Sequence, residues 1–160
     1  MEFSEFYESA RDECLRVVLL NVRDRLLAEE LVAEGFARAW MSWRKVRHLQ
    51  VPQAWVVRVA LNVNVSRWRR RRREVALGSH DRPTPAGQDA VMSDEVAAAL
   101  GRLPLRQREV VTLRLLLDLD TETTAGLLGI APGTVSAHLH KAVAALRSTI
   151  PRLDDQEVRT

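Results

Sequence analysis

Residues 78–89 read Gly-Ser-His-Asp-Arg-Pro-Thr-Pro-Ala-Gly-Gln-Asp: two glycines and two prolines among polar side chains, with no bulky apolar residue to bury. Such a run neither continues a helix nor pairs as a strand, so it reads as a linker. It divides the chain into stretches of roughly 70 residues, each near the lower size limit for a domain that folds on its own. The expectation is two small domains, 1–73 and 93–151, joined by a flexible linker at 74–92.

Both sides of the linker read as helix, and no Asn-Gly or Asp-Gly hairpin signal is present. The fold class expected is all-α. Ser4 is a candidate N-cap for a first helix reaching about Asn21. Asp24 can cap a second helix reaching Trp43, with Leu27, Leu31, Val32, Phe36, Trp40 and Trp43 as its apolar stripe. After a short connection at 47–51, Pro52 suits the first turn of a third helix that carries Trp55, Val56, Val59, Ala60 and Val63 inward. Beyond the linker, Ser93 can cap a helix to Leu103, and Pro104 opens another to about Leu117. Asp120 caps Thr121–Leu128, Gly129 suits a left-handed C-terminal position, and Pro132 opens a last helix ending near Ile150.

Composition removes several classes of function. Cys14 is the single cysteine, so an intramolecular disulfide and a cysteine-cluster metal site are excluded. No apolar run is long enough for a membrane span. The acidic Met1-Glu2-Phe3-Ser4-Glu5 lacks the layout of a secretion signal, and a reducing cytoplasm is the expected compartment. The four histidines are scattered, no phosphate-cradling glycine loop occurs, and neither an enzyme nor a cofactor is expected.

Charge is distributed unevenly. The net charge is only +3, yet residues 1–73 hold 15 basic against 9 acidic side chains. The excess is concentrated in Arg67-Trp68-Arg69-Arg70-Arg71-Arg72-Arg73, which attracts polyanions, nucleic acid first among them. A solvated helix end fits the same run. Trp55, Asn62, Trp68 and this run lie on one helix or its continuation, and aromatic and amide side chains beside a basic stretch can hold unstacked bases. Core tryptophans and a core asparagine fit as well.

The stretch Thr121–Arg147 has the layout of a helix-turn-helix. Val135, Leu139, Ala142, Val143, Leu146 and Ile150 fall on one side of its last helix. Thr134, Ala137, His138, Lys141, Ala144 and Ser148 fall on the other, where small residues would let a helix enter a major groove. Taken alone, the segment suits an ordinary helical hairpin equally well.

The order of these motifs resembles a known family. Ala28-Glu29-Glu30-Leu31-Val32-Ala33-Glu34-Gly35-Phe36-Ala37-Arg38-Ala39-Trp40 is similar to the polymerase-binding helix of extracytoplasmic-function (ECF) sigma factors. Pro52-Gln53-Ala54-Trp55-Val56-Val57-Arg58-Val59-Ala60-Leu61-Asn62 resembles their promoter-melting helix. Leu103-Pro104, Arg106–Val111, Leu127–Ile130 and Gly133-Thr134-Val135 resemble their fourth conserved region. The flavour is similar to the short SigE-like group of actinobacteria. The resemblance implies a region 2-like helical bundle and a region 4-like helix-turn-helix. It implies docking on the β′ clamp helices of RNA polymerase core through Glu29, Glu30, Leu31 and Glu34. It implies −10 DNA contacts from His48, Trp55, Arg58, Asn62, Ser66, Arg67, Arg69 and Arg70, with base capture at the 47–52 loop and Asn62. The −35 element would be read by Thr134, Ser136, Ala137, His138 and Lys141, in a domain that also touches the β flap. The linker would follow the RNA exit path. Polymerase performs the chemistry, and an anti-sigma factor is a common further partner in that family.

Several positions depart from the pattern. Ala33 stands where Gln is frequent, Ser66 where Asp or Asn is, and Thr123 where Glu is. Ser136, Ala137 and His138 replace a more basic set, which predicts fewer phosphate contacts and weaker −35 binding. Two other readings compete: a helix-turn-helix regulator that acts without polymerase, and an RNA-binding protein using the arginine run.

Overall fold

The computed structural model describes residues 1–75 and 94–150, all helical or in short connections. Contacts divide the chain into two compact units, Met1–Gly87 and Gln88–Thr160. The expected linker, apart from Glu74 and Val75, lies outside the described residues. So does the proposed Ser93 cap.

In the first unit α1 (Phe3–Val22), α2 (Arg25–Met41) and α4 (Pro52–Val75) pack on one another, with the single turn α3 (Trp43–Val46) between α2 and α4. The start of α1 corrects the sequence expectation. Its cap is Glu2, whose backbone N–H donates to Glu5 Oε2 at 3.1 Å, and Ser4 already lies inside the helix. Asp24 caps α2 as expected, accepting from the Leu27 N–H at 3.1 Å. That helix stops at Met41 and breaks at Ser42, short of Trp43. Pro52 opens α4, which extends two residues past the expected boundary, to Val75.

The core contains Cys14, Val17, Val18, Ala28, Leu31, Val56, Val57 and Ala60, all fully buried. Burial pushes the Cys14 thiol up to about 12, and its Sγ donates to the Gln53 carbonyl on α4. At neutral pH it is a packed thiol, neither a nucleophile nor a metal ligand. The helices α2 and α4 meet at Gly35, where a Cβ would stand 2.8 Å from the Val56 carbonyl oxygen. Glycine permits that approach. Because the helices are so close there, small residues occupy the seam: Ala28, Gly35 and Ala39 are buried on α2. Trp40, expected on the stripe, is 63% exposed.

In the second unit α5 (Asp94–Arg102), α6 (Leu105–Leu115), α7 (Thr121–Leu128) and α8 (Pro132–Thr149) surround Val110, Ala125 and Val135, with Leu128, Ile130 and Leu139 against them. Local chemistry sets its corners. Arg108 donates to the carbonyls of Leu100, Gly101 and Leu103 at 3.1–3.3 Å, closing the C-terminal end of α5. Asp120 accepts from the Thr123 N–H at 2.6 Å, and these bonds hold its carboxyl below the usual range. Gly129 adopts φ 65 between α7 and α8, and Pro132 begins α8.

Candidate nucleic-acid and polymerase interfaces

Three surfaces follow from this framework. The first is the outer face of α2. Leu31 is fully buried beneath it, so this expected docking residue supports the face and cannot touch a partner. The exposed apolar residues on this face are others, which the sequence reading did not name: Leu26 is 75% and Met41 83% exposed, with Ala33 and Ala37 open between them. Every expected docking carboxylate is paired. Glu29 accepts from Arg25 at 3.3 Å and Glu34 from Arg38 at 2.8 Å, both one helical turn away. Glu30 accepts from Arg67 of α4 at 3.2 Å. A dent of about 90 Å³ between α1 and α2, lined by Tyr7, Arg11, Glu29 and Ala33 among others, borders the face.

The second surface is the outer face of α4. Val56, Val57, Ala60 and Leu61 point into the bundle. At about 100° per residue, Trp55, Arg58, Asn62, Ser66, Arg69 and Arg70 therefore gather on the opposite side. Arg58, Asn62, Ser66, Arg69 and Arg70 are exposed there, and Trp55 is half-buried. Asn62, Ser66, Arg67 and Arg70 line a groove of about 300 Å³, together with Glu34 and Arg38 of α2. The structure thus brings part of the expected −10 set against one of the expected docking carboxylates. His48 is exposed on the segment leading into α4. It does not line the groove.

The third surface is α8. Val135 and Ala142 are buried, and Thr134, Ser136, Ala137 and Lys141 are exposed, as the helix-turn-helix reading requires. His138 is half-buried and sits toward the core side. His140, which the sequence reading passed over, is exposed between Ala137 and Lys141 on the outward face. A three-residue step from Ala137 was the available signal. Ala131 caps α8 without a side-chain bond; its carbonyl accepts from the Thr134 and Val135 N–H groups at 3.0 and 3.1 Å, and Pro132 at the first helical position has no N–H to satisfy. Among the described residues, no cluster of metal-ligating side chains and no helix suited to crossing a membrane is present.

Comparison with known proteins adds a second line of observation. The family model described as sigma-70 region 2 matches residues 6–74, and that described as sigma-70 region 4 matches residues 93–146. The RNA polymerase sigma-E factor of Streptomyces coelicolor is 30% identical over 96% of this chain and 89% of its own length. The ECF RNA polymerase sigma factor SigL of Mycobacterium tuberculosis is 34% identical over 86% of this chain and 82% of its own. Among solved structures, the sigma factor RpoE in complex with the anti-sigma factor NepR from Bartonella quintana has a TM-score of 0.77 at 22% identity. That match covers 92% of this chain and 95% of that one. CnrH in complex with the cytosolic domain of CnrY has a TM-score of 0.63 at 20% identity, over 91% and 85% of the two chains.

Proposed function

The chain belongs to the ECF group of the sigma-70 family of RNA polymerase sigma factors, and from that premise we propose how its two units share promoter-specific initiation. Its partners are RNA polymerase core and promoter DNA. The outer face of α2 docks on the β′ clamp helices, with Leu26 and Met41 as the apolar contacts and Glu29, Glu30 and Glu34 meeting basic residues. The outer face of α4 holds the opened −10 element: Asn62 and Ser66 hydrogen-bond an unpaired base, and Arg58, Arg69 and Arg70 hold phosphates. The exposed face of α8 reads the −35 element through Thr134, Ser136, Ala137, His140 and Lys141. The boundaries that go with this reading are 1–73, 74–92 and 93–151. Two modest contacts on one chain gain from effective concentration.

The supporting observation is the segregation of α4. Val56, Val57, Ala60 and Leu61 face the bundle, while Asn62, Ser66, Arg67 and Arg70 line an open groove. RpoE is described in complex with an anti-sigma factor, and an inhibitory partner covering the α2 face is proposed here by analogy. Work alongside polymerase puts the chain in the cytoplasm.

Run-off transcription with core polymerase and a genomic fragment library is the test. Discrete new start sites are expected; an unchanged transcript profile refutes the reading. Within it, Asn62→Ala should impair promoter opening more than core binding, and Glu30→Lys with Glu34→Lys should weaken core binding. Equal loss of opening and core binding in the Asn62 variant would mark that residue as structural.

A further inference from the structure

The last two turns of α4 carry more than the −10 face accounts for. From Trp68 through Glu74 every side chain is exposed, so this end of the helix projects beyond the bundle. Five consecutive arginines repel one another there unless a polyanion lies alongside. The rod has two sides. Arg69, Arg70 and Arg73 continue the line of Asn62 and Ser66. Trp68 lies about 200° around the helix from Ser66, on the line of the buried Val57 and Leu61. It is 53% exposed, and the Arg72 guanidinium carbon sits 4.6 Å over its ring. Arg71 neighbours it on the same side.

An exposed tryptophan beneath an arginine is a stacking surface whose ring is already held in place. Arg72 over the ring and Arg71 on the same side of the helix supply positive charge for a flanking phosphate. Together they suit a nucleotide whose base is free to stack, which duplex DNA does not offer. A short acidic peptide would satisfy the arginines but would gain nothing from the aromatic plane. We propose that Trp68, Arg71 and Arg72 form a second nucleic-acid site, on the side of α4 turned away from the −10 groove, that stacks one unpaired base of single-stranded DNA. Melting a promoter creates two separated strands, and a helix with nucleic-acid contacts on both sides can keep them apart. Only this source of the strand rests on the sigma-factor reading; the binding itself does not.

The test uses the full chain and needs no polymerase. Fluorescence anisotropy measures binding to a labelled 12-nucleotide single-stranded DNA, to a duplex of equal length, and to the same single strand with abasic positions, at one fixed salt concentration. Trp68→Ala should weaken binding to the single strand about five- to a hundredfold. Duplex affinity should change less than twofold, and Trp68→Phe should recover most of the loss. The abasic strand should bind the parent chain at least as weakly as the intact strand binds the Trp68→Ala variant. Equal losses on duplex and single strand would overturn the proposal, as would no loss at all or an abasic strand bound as tightly as the intact one. An RNA 12-mer bound tenfold more tightly than the DNA would overturn the choice of strand. Start-site selection by the parent chain with core polymerase reports separately on the sigma-factor reading.

Discussion

Gly35→Ala is the sharpest test of how α2 is joined to α4. A Cβ at position 35 would stand 2.8 Å from the Val56 carbonyl oxygen and 3.0 Å from its Cγ1. The backbone carbonyl cannot swing aside as a side chain can, so α2 must withdraw from α4 by roughly half an ångström to reach ordinary van der Waals contact. Overpacking of this kind costs about 1–3 kcal/mol. Alanine recovers up to about 1 kcal/mol through helix propensity. The net expectation is a loss of about 1–2 kcal/mol, which lowers a urea midpoint by roughly half to one molar for a small unit. The four tryptophans, at positions 40, 43, 55 and 68, all lie in the first unit, so intrinsic fluorescence reports that unit alone. Gly126→Ala is the matched control. Nothing lies within 4 Å of a Cβ there, so circular dichroism should show the second unit stabilised by about 0.5–1 kcal/mol. A Gly35→Ala midpoint at or above that of the parent would refute the close approach of α2 and α4.

Asp24→Ala removes the acceptor for the Leu27 N–H and should cost about 1 kcal/mol in the fluorescence transition; Asp24→Ser should retain most of it, and no difference between the two would refute the cap. Burial raises the Glu109 carboxyl above its ordinary value against the opposing pull of Arg106, so the folded state holds that proton more readily than the unfolded chain. This contribution to stability is present below the unfolded value and lost as pH rises through the folded one. The advantage of Glu109→Gln over the parent at neutral pH should therefore shrink toward the ordinary glutamate range in pH-dependent denaturation, and a widening advantage would reverse the sign. Arg67 and Glu30 are 39% and 66% exposed in their side chains, so a double-mutant cycle should give at most about 1 kcal/mol of coupling. Arg67→Ala should bind DNA more weakly and leave core affinity equal or higher; lowered core affinity would contradict the pairing.

The helix boundaries that were legible in the sequence depend on residues within one turn of the boundary. Asp24, Pro52, Asp120, Gly129 and Pro132 each work through their own side chain, ring or backbone. Ser4 misled because a Glu2–Glu5 pair bracketing it met the same need two residues earlier, and a serine inside a helix carries no mark of its own. Trp40 misled for a tertiary reason. Bulky residues at three- and four-residue steps suggest a stripe, but the stripe α2 buries is set by where α4 comes closest. That contact selects Ala28, Gly35 and Ala39 and leaves Trp40 at the margin, edge-on to Phe3 at 5.1 Å.

The same distinction separates what could be read of the functional surfaces. The pairs Arg25–Glu29 and Glu34–Arg38 are one turn apart and visible in the sequence, whereas Glu30–Arg67 spans 37 positions and exists only once α2 lies on α4. That third pair alters how the docking carboxylates are to be understood. Each of the three carboxylates already holds an arginine, and one of those arginines belongs to the proposed −10 set. On the proposed reading, a basic partner helix that competes for Glu30 loosens Arg67 beside the groove it shares with Asn62 and Ser66. At most about 1 kcal/mol is exchanged in an exposed pair, too little to act as a lock. On the proposed reading it is enough to tilt Arg67 toward phosphate when α2 is engaged, so docking and DNA binding would share one side chain rather than use independent faces.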